Sequence, residues 1–168
     1  MATDWATVYR DTYGDLVRFL YRKVWDAERA HDLAQEAFVR ALDQTPEDPR
    51  GWLFTVAANL ARDEARGAIR RRRHLELVKT ETAAAPAPPD ALDALERKER
   101  AAAVRGALGQ LTERDRDVLL LWQAGLSYED IAKETGLAAG AVGTTLSRAR
   151  RKLVEVWTRA EEDDAAHR

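Results

Sequence analysis

Apolar residues in the first half of the chain return every three or four positions, and no stretch alternates as a half-buried strand would. This spacing predicts helices that each bury one face. The first two apolar stripes are Leu16, Phe19, Leu20 and Val24, and then Leu33, Ala34, Ala37, Phe38, Ala41 and Leu42. A third helix is expected to start near Pro49, which suits a first helical turn, and to run toward Arg73. Its inward positions are Leu53, Val56, Ala57, Leu60 and Ala61.

The segment from Gly125 to Leu153 has the pattern of a short capped helix, a glycine turn and a second helix. Ser127 suits an N-cap, with Asp130 three residues later, and Gly136 suits the left-handed turn that ends the short helix. The apolar stripe of the second helix is Val142, Leu146, Ala149 and Leu153. The other side carries Thr144, Thr145, Arg148, Arg151 and Lys152. Hydroxyls followed by cations are typical of a helix that reads DNA, so a helix-turn-helix is predicted. The alternative is an ordinary helical hairpin with a solvated basic face.

A break in the helical pattern divides the chain in two. Residues 79–95 contain three closely spaced prolines and many small residues, and they lack a periodic face of large apolar side chains. Roughly the first two thirds of this stretch are expected to form an extended linker. The predicted fold class is all-α, with two small helical domains joined by a flexible Pro/Ala-rich linker. The expected divisions are the domain 1–78, the linker 79–95, the helix-turn-helix domain 96–160 and an acidic tail 161–168.

Composition excludes several classes of protein. The chain has no cysteine, and its three histidines have no partners at metal-ligand spacing, so no metal site and no other cofactor is expected. Neither a membrane-spanning apolar run nor a signal peptide is recognisable in the sequence. These observations predict a soluble cytoplasmic protein without membrane insertion.

The charge is balanced overall but uneven along the chain. A net charge of -2 argues against strong nonspecific nucleic-acid binding by the whole chain, so local basic patches must make any DNA contact. Residues 161–164 are all acidic. They are expected to form a frayed, solvated end, and the alternative is that they compete with DNA for the basic helix.

Two polar helix faces in the first half are candidates for binding. Asp32, Gln35 and Glu36 stand together at helical spacing, either as plain surface or as a face that docks a partner. The third helix presents Trp52, Thr55, Asn59, Arg62 and Arg66 at steps of three or four residues, and the arginines at 70–73 extend the charge. Because arginine neutralises phosphate and an aromatic ring stacks on bases, this face is a candidate track for single-stranded or distorted DNA. The alternatives are a core role for Trp52 and a solvated run at 70–73.

Together these segments resemble the extracytoplasmic-function sigma factors, the group-four branch of the sigma-70 family of bacterial RNA polymerase. In the first half the resemblance is carried by Asp32-Leu-Ala-Gln-Glu-Ala-Phe38 and Pro49-Arg-Gly-Trp-Leu-Phe-Thr-Val-Ala-Ala-Asn59. In the second half it is carried by Leu111-Thr-Glu-Arg-Asp-Arg-Asp-Val-Leu119, Gly125-Leu-Ser-Tyr-Glu-Asp-Ile-Ala132 and Leu146-Ser-Arg-Ala-Arg-Arg-Lys-Leu153.

The resemblance implies a role for each candidate face. The face with Asp32, Gln35 and Glu36 would dock on the β′ clamp helices of core RNA polymerase. The loop 43–48 would capture a flipped base of the minus-ten element, at an unstacking cost of a few kcal/mol. Residues implied to contact minus-ten DNA are Arg50, Trp52, Thr55, Asn59, Arg62 and Arg66. Residues implied to contact minus-35 DNA are Ser127, Tyr128, Gly140, Thr144, Thr145, Arg148, Arg151 and Lys152. The helices before the helix-turn-helix would lie near the β flap, and an anti-sigma factor is expected as a further partner.

One segment departs from the family pattern. The head of the recognition helix is expected to read Gly-Thr-Val-Lys-Ser-Arg-Leu, whereas this chain has Gly140-Ala-Val-Gly-Thr-Thr-Leu146. Ala141, Gly143 and Thr145 therefore replace a threonine and two cations. The change predicts weaker phosphate binding, and an altered minus-35 sequence or a weaker dependence on it.

Two other classes of protein share single features with this sequence. A stand-alone helix-turn-helix regulator of the response-regulator type shares the motifs of the second half, but the first half lacks a βα pattern and an aspartate cluster. A small helical nuclease would need a catalytic triad, a metal cluster or a phosphate-binding glycine loop, and the sequence has none of these. The chain is therefore predicted not to be an enzyme.

Overall fold

The computed structural model describes residues 2–75 and 91–167, and every regular element within these ranges is a helix. The helices are α1 (Trp5–Val24), α2 (Ala27–Ala41), α3 (Pro49–Leu75), α4 (Ala91–Gly109), α5 (Glu113–Gln123), α6 (Tyr128–Thr135) and α7 (Ala139–Ala166). The predicted all-α class is confirmed. None of the helices in the described part of the chain is both long enough and apolar enough to cross a membrane.

Helices α1 to α3 pack around a common apolar core. Asp4 and Asp26 cap α1 and α2 by accepting hydrogen bonds from the backbone N–H groups of Thr7 and Arg29. The core side chains that are fully buried include Leu16, Leu20, Leu33, Leu53 and Phe54. The predicted stripes are therefore largely confirmed, and α3 spans the predicted segment from Pro49.

Leu42 is the exception in the second stripe, because its side chain is 65% exposed. Helix α2 ends at Ala41, and Leu42 is the C-cap residue. Its backbone N–H donates to the Val39 carbonyl, three residues back, at 3.4 Å, so the regular helical pattern ends here and the prediction that Leu42 lies in the apolar stripe is wrong.

Helices α4 to α7 surround a second core, with α7 packing on α4, α5 and α6. Val118, Ile131 and Val142 are fully buried at its centre. Leu146 and Ala149 are buried as well, and Leu153 is partly buried, so the predicted stripe of the last helix is confirmed. The helix-turn-helix consists of α6, the turn at Gly136 and α7.

Two segments differ from the expected organisation. Residues 91–95, predicted as the end of the linker, form the start of α4, in keeping with the high helix propensity of alanine and leucine. Residues 161–166 continue α7, where the Trp157 indole N–H donates to the Glu161 carboxylate at 2.9 Å, so the prediction of a frayed end is wrong. The extended linker predicted for roughly the first two thirds of residues 79–95 lies outside the described residues.

Candidate nucleic-acid interface

The helix-turn-helix begins after the turn between α5 and α6, where Ser127 caps α6. The Ser127 hydroxyl accepts a hydrogen bond from the Asp130 backbone N–H at 3.1 Å and donates to the Asp130 carboxylate at 2.5 Å. This reciprocal pair confirms the predicted cap of α6. Gly136 has a φ of 70°, which a residue with a Cβ rarely adopts, and it directs the chain into α7.

The exposed face of α7 has the composition of a DNA-reading surface. Its exposed candidate residues are Gly140, Thr144, Arg148, Arg151 and Lys152. Tyr128 at the start of α6 is 46% exposed and lies beside this face, since a Cβ added to Gly143 would be 3.5 Å from its ring. Hydroxyls, an aromatic ring and cations are thus presented together on one side of the helix-turn-helix.

Thr145 does not belong to this face, because its side chain is only 5% exposed. It follows Val142 by three positions and precedes Ala149 by four, so helical spacing places it in the buried stripe. The prediction that Thr145 contacts minus-35 DNA is therefore wrong.

Arg148 is exposed but has a protein partner. Its guanidinium donates to both carboxylate oxygens of Asp115, at 2.5 and 3.4 Å, and Asp115 is only 6% exposed. The hydrogen bond and the negative charge of Asp115 raise the pKa of Arg148 above its usual value. This pair connects α7 to the first turn of α5 and restricts the reach of Arg148.

The residues of the predicted track on α3 differ in how exposed they are. Asn59 and Arg66 are exposed, whereas Thr55 is half-buried. Trp52 is also half-buried, and its ring lies 6.3 Å from that of Trp5, as expected for the alternative that it closes the core at the start of α3. The described arginines at 70–73 are exposed.

Arg62 of the track, and Arg50 just before it, donate to acceptors in the second half of the molecule. Arg62 donates to Asn59 at 2.7 Å and to Glu134 of α6 at 3.0 Å. Arg50 lies over the Phe54 ring and donates to Asp15 and to the backbone carbonyl of Ala124. The arginines are recognisable in the sequence but their partners are not, because nothing in the local pattern signals a contact between distant helices.

The candidate docking face on α2 is a mixed surface. Asp32 is flanked by Arg29 at 3.7 Å, and Glu36 pairs with Arg40 at 2.7 Å. Val39 is a further residue of this face that was not predicted: it is 66% exposed and follows Asp32 by seven residues and Glu36 by three. The sequence does contain a signal for this residue, because Val39 is apolar but lies outside the predicted buried stripe of α2.

A second missed residue is Trp5, which holds the loop between α2 and α3. Its indole N–H donates to the backbone carbonyl of Gln44 at 3.2 Å. Since its ring also contacts Trp52, Trp5 connects the loop 43–48 to the start of α3.

Helices α2 and α3 are joined by an ion-pair network beside the docking face. Glu64 accepts from Arg29 at 2.9 Å and from Arg71 at 3.2 Å. The hydrogen bond from Arg29 lowers the pKa of Glu64 below its usual value, with the charge of Arg71 acting in the same direction. Residues 2–75 and 91–167 contain no group of three or more His, Cys, Asp or Glu side chains placed to hold a metal ion.

Comparison with known proteins matches both halves to one family. Sigma-70 region 2 matches residues 8–74, and sigma-70 region 4 matches residues 101–153. The chain is 30% identical over 163 residues to the RNA polymerase sigma factor YlaC of Bacillus subtilis, covering 94% of both chains. It is 37% identical over 135 residues to the ECF RNA polymerase sigma factor EcfG of Rhodopseudomonas palustris, covering 76% of this chain and 71% of that one.

A solved structure supports the same assignment for the whole described fold. The sigma factor RpoE of Bartonella quintana, in a complex with the anti-sigma factor NepR, superposes with a TM-score of 0.68 at 26% identity. The match covers 92% of this chain and 97% of that one. This chain therefore belongs to the extracytoplasmic-function sigma factors of the sigma-70 family, the alternative sigma factors that direct transcription initiation by RNA polymerase.

Proposed function

We propose that this sigma factor binds core RNA polymerase and selects promoters with two DNA-reading surfaces on two domains. The domain 1–78 would recognise and melt the minus-ten element, and the domain 96–160 would read the minus-35 element. The observation that carries the proposal is the exposed recognition face on α7, which is separate from the polar track on α3. Two surfaces of this kind suit two promoter elements, because each supplies its own phosphate and base contacts.

At minus-35, α7 would enter the major groove. Thr144 and Tyr128 would contact base edges, and Arg151 and Lys152 would contact phosphates; the exposure of all four supports these roles. Ser127 and Gly140 would approach the backbone at the starts of the two helices. Arg148 would contact DNA while remaining paired with Asp115, which limits it to a phosphate close to α7.

At minus-ten, the exposed Asn59 and Arg66 would follow one DNA strand along α3. Trp52 and Thr55 would border the loop 43–48, where a flipped base would be captured. Arg50 and Arg62 would join this surface once their contacts with the second half are exchanged for phosphate.

The α2 face would dock on the β′ clamp helices of core polymerase through Asp32, Gln35 and Glu36. We add Val39 to this surface, because an exposed apolar residue beside charged groups is typical of a protein–protein interface. The helices that precede the helix-turn-helix would lie near the β flap.

The same role implies a regulatory partner and a cellular location for the protein. The structural relative RpoE was solved in a complex with an anti-sigma factor, and we propose that a partner of this kind binds this chain. The chain would act in the cytoplasm, with core polymerase performing the catalysis and without a cofactor of its own.

Run-off transcription with bacterial core polymerase on a library of promoter fragments tests the proposal. Specific transcripts are expected only when the chain is present. The double variant Arg151→Ala/Lys152→Ala should reduce them about tenfold or more, as removal of two phosphate contacts predicts. The matched control is Arg159→Ala, which removes an exposed cation near the far end of the same helix.

The opposite outcome would be an absence of specific transcripts, together with a failure to co-elute with core polymerase. Tight binding of duplex DNA by the chain alone would then favour a stand-alone helix-turn-helix regulator.

A further inference from the structure

The first turn of α1 is held by local hydrogen bonds. The Asp4 carboxylate accepts from the backbone N–H of Thr7 at 3.2 Å and from the Thr7 hydroxyl at 2.6 Å. Arg10 donates to the same hydroxyl at 3.0 Å. A helix start that is capped in this way resists fraying. Trp5, the first residue of the helix, therefore extends from an ordered backbone.

The Trp5 side chain makes two contacts outside α1. The centre of its ring lies 6.3 Å from that of Trp52 in the first turn of α3, with the ring planes inclined at 56°. Its indole N–H donates to the Gln44 carbonyl at 3.2 Å. The ring is half-buried and packs against the core of α1 to α3. One side chain thus connects α1, the loop 43–48 and α3.

The loop 43–48 has few other attachments. The backbone N–H of Gln44 donates to the Ala41 carbonyl at 2.9 Å, and the Asp48 carbonyl accepts from a backbone N–H in the first turn of α3 at 3.0 Å. Most of the loop between these two connections is exposed. In the parts of the chain that the structure describes, the Trp5 indole is the only side-chain group that hydrogen-bonds to the backbone of this loop. The conformation of the loop therefore depends on Trp5.

The ring and the N–H group of Trp5 have different effects. The ring packs on the core, and a phenylalanine ring would retain most of that packing. The N–H group bonds to Gln44 at an exposed position, where water competes, so its net contribution to the stability of the domain is small. The geometric effect of this bond is confined to the loop. Loss of the N–H group alone should thus change the loop without unfolding the domain.

Base capture is the step that an ordered loop assists. Extrusion of a base from the stack costs free energy, and a flexible binding loop adds the cost of ordering its own backbone. A loop that is already ordered avoids this second cost. Trp5 can supply the order without contacting DNA, because it acts from α1, which carries none of the residues assigned to promoter binding.

We propose that Trp5 is a positioning residue for minus-ten recognition, whose indole N–H holds the loop 43–48 in the conformation that receives the flipped base. The inference rests on the proposed role of this loop in base capture. Trp5 acts through the Gln44 carbonyl, and its contact with Trp52 fixes the loop relative to the start of α3.

Binding of the holoenzyme to single-stranded DNA tests the proposal. The probe is a fluorescein-labelled oligonucleotide with the non-template strand of a minus-ten element selected by run-off transcription. Trp5→Phe removes the N–H donor and keeps an aromatic ring. The variant holoenzyme should bind the probe about threefold to tenfold more weakly than the parent, as loss of one hydrogen bond predicts. Its affinity for core polymerase and its unfolding midpoint should not change. Equal binding of the probe would overturn the proposal.

The matched control is Trp157→Phe in α7. This change also removes an indole N–H that donates a hydrogen bond, to the Glu161 carboxylate at 2.9 Å, but it does so in a different helix. The control holoenzyme should bind the probe like the parent. An equal loss of affinity in both tryptophan variants would contradict a specific effect of Trp5 on the loop.

Abasic replacements in the probe distinguish positioning from a general structural role. At the nucleotide whose base the loop captures, removal of the base should weaken the parent and leave the parent and Trp5→Phe with equal affinity. At every other nucleotide the ratio of their affinities should stay at about threefold to tenfold, because independent changes are additive. A ratio that stays constant at all nucleotides would refute the positioning role.

Loop mobility separates this inference from the proposed function. Because the chain has no cysteine, a nitroxide can be attached at Thr45→Cys, an exposed position in the loop. Adding Trp5→Phe should give the electron paramagnetic resonance spectrum of a faster-moving label, whereas adding Trp157→Phe should not. An unchanged spectrum would refute the role of Trp5 whatever the DNA results. If no abasic replacement weakened the parent, base capture by this loop would be wrong, even if the spectrum showed that Trp5 orders it.

Discussion

Arg148 on the exposed side of α7 lies 2.5 Å from the buried carboxylate of Asp115 in the first turn of α5. A residue that the sequence assigns to DNA contact is thus also part of the packing of its own domain. The Asp115 carboxylate is almost inaccessible, and within the described residues Arg148 is its charged partner. The orientation of the recognition helix and the position of one of its cations are therefore coupled.

Asp115→Ala should loosen the recognition helix. The change removes the partner of Arg148 from a buried position, and we expect the thermal unfolding midpoint to fall by several degrees. Transcription dependent on minus-35 should fall with it, because Arg148 loses its orientation. Glu113→Gln, an exposed acidic change in the same turn, is the control for loss of helix-terminal charge. Equal midpoints for the two variants would show that the pair does not stabilise the domain.

Gly143→Ala should stabilise the protein. Gly143 lies inside α7, where alanine is favoured by about 1 kcal/mol, and the added Cβ would make an ordinary contact 3.5 Å from the Tyr128 ring. Chemical denaturation should show a rise in the free energy of unfolding of about 0.5–1 kcal/mol.

Gly136→Ala provides the matched comparison for this substitution. Its φ of 70° is strained for alanine, so the same change of residue should destabilise the protein by about 1 kcal/mol. A decrease in stability for Gly143→Ala would mean that the glycine is needed for close packing of Tyr128 against α7.

Glu64 should make stability depend on pH in the acid range. Its pKa is lowered in the folded protein by Arg29, so its contribution is present above its usual value of 4.5 and is lost as the pH falls through the lowered value. At pH 7, Glu64→Gln should therefore unfold at a lower denaturant concentration than the parent. Its free energy of unfolding should be lower by roughly 1 kcal/mol. The two proteins should converge as the pH falls through the lowered pKa of Glu64.

Glu28→Gln is the control for this pH dependence, because it removes an exposed carboxylate at the start of α2 without touching the Arg29–Glu64–Arg71 network. A difference between Glu64→Gln and the parent that stays constant from pH 7 to pH 3 would exclude the lowered pKa as its cause.

Val39→Asp should weaken binding to core polymerase without unfolding the chain. The side chain is 66% exposed, so the folded state loses little, whereas a docked interface would bury an unpaired charge. We expect affinity for core polymerase to fall at least about tenfold, a loss of 1.4 kcal/mol or more. Binding can be measured by titration of labelled protein.

Val154→Asp on α7 is the matched control, since Val154 is also a valine, is 64% exposed and lies away from the α2 face. If both substitutions reduced affinity equally, the α2 face would not be the docking surface.

The helices and their buried faces could be predicted from the sequence because both depend on spacing within short segments. Pro49, Ser127 and Gly136 marked a helix start, a cap and a turn where the structure has them. The same local logic failed at Leu42, where the helix ends one residue earlier, and at Thr145, where polarity suggested exposure but helical position dictated burial.

The candidate site could be predicted only in part. The motifs of the two halves determined the family and the faces on α2, α3 and α7. Which of their residues are accessible was decided by tertiary structure, because Arg50, Arg62 and Arg148 take partners that are distant in sequence. A one-dimensional pattern records which side of a helix a residue occupies. It does not record which other helix approaches that side, because that depends on the packing of the whole chain.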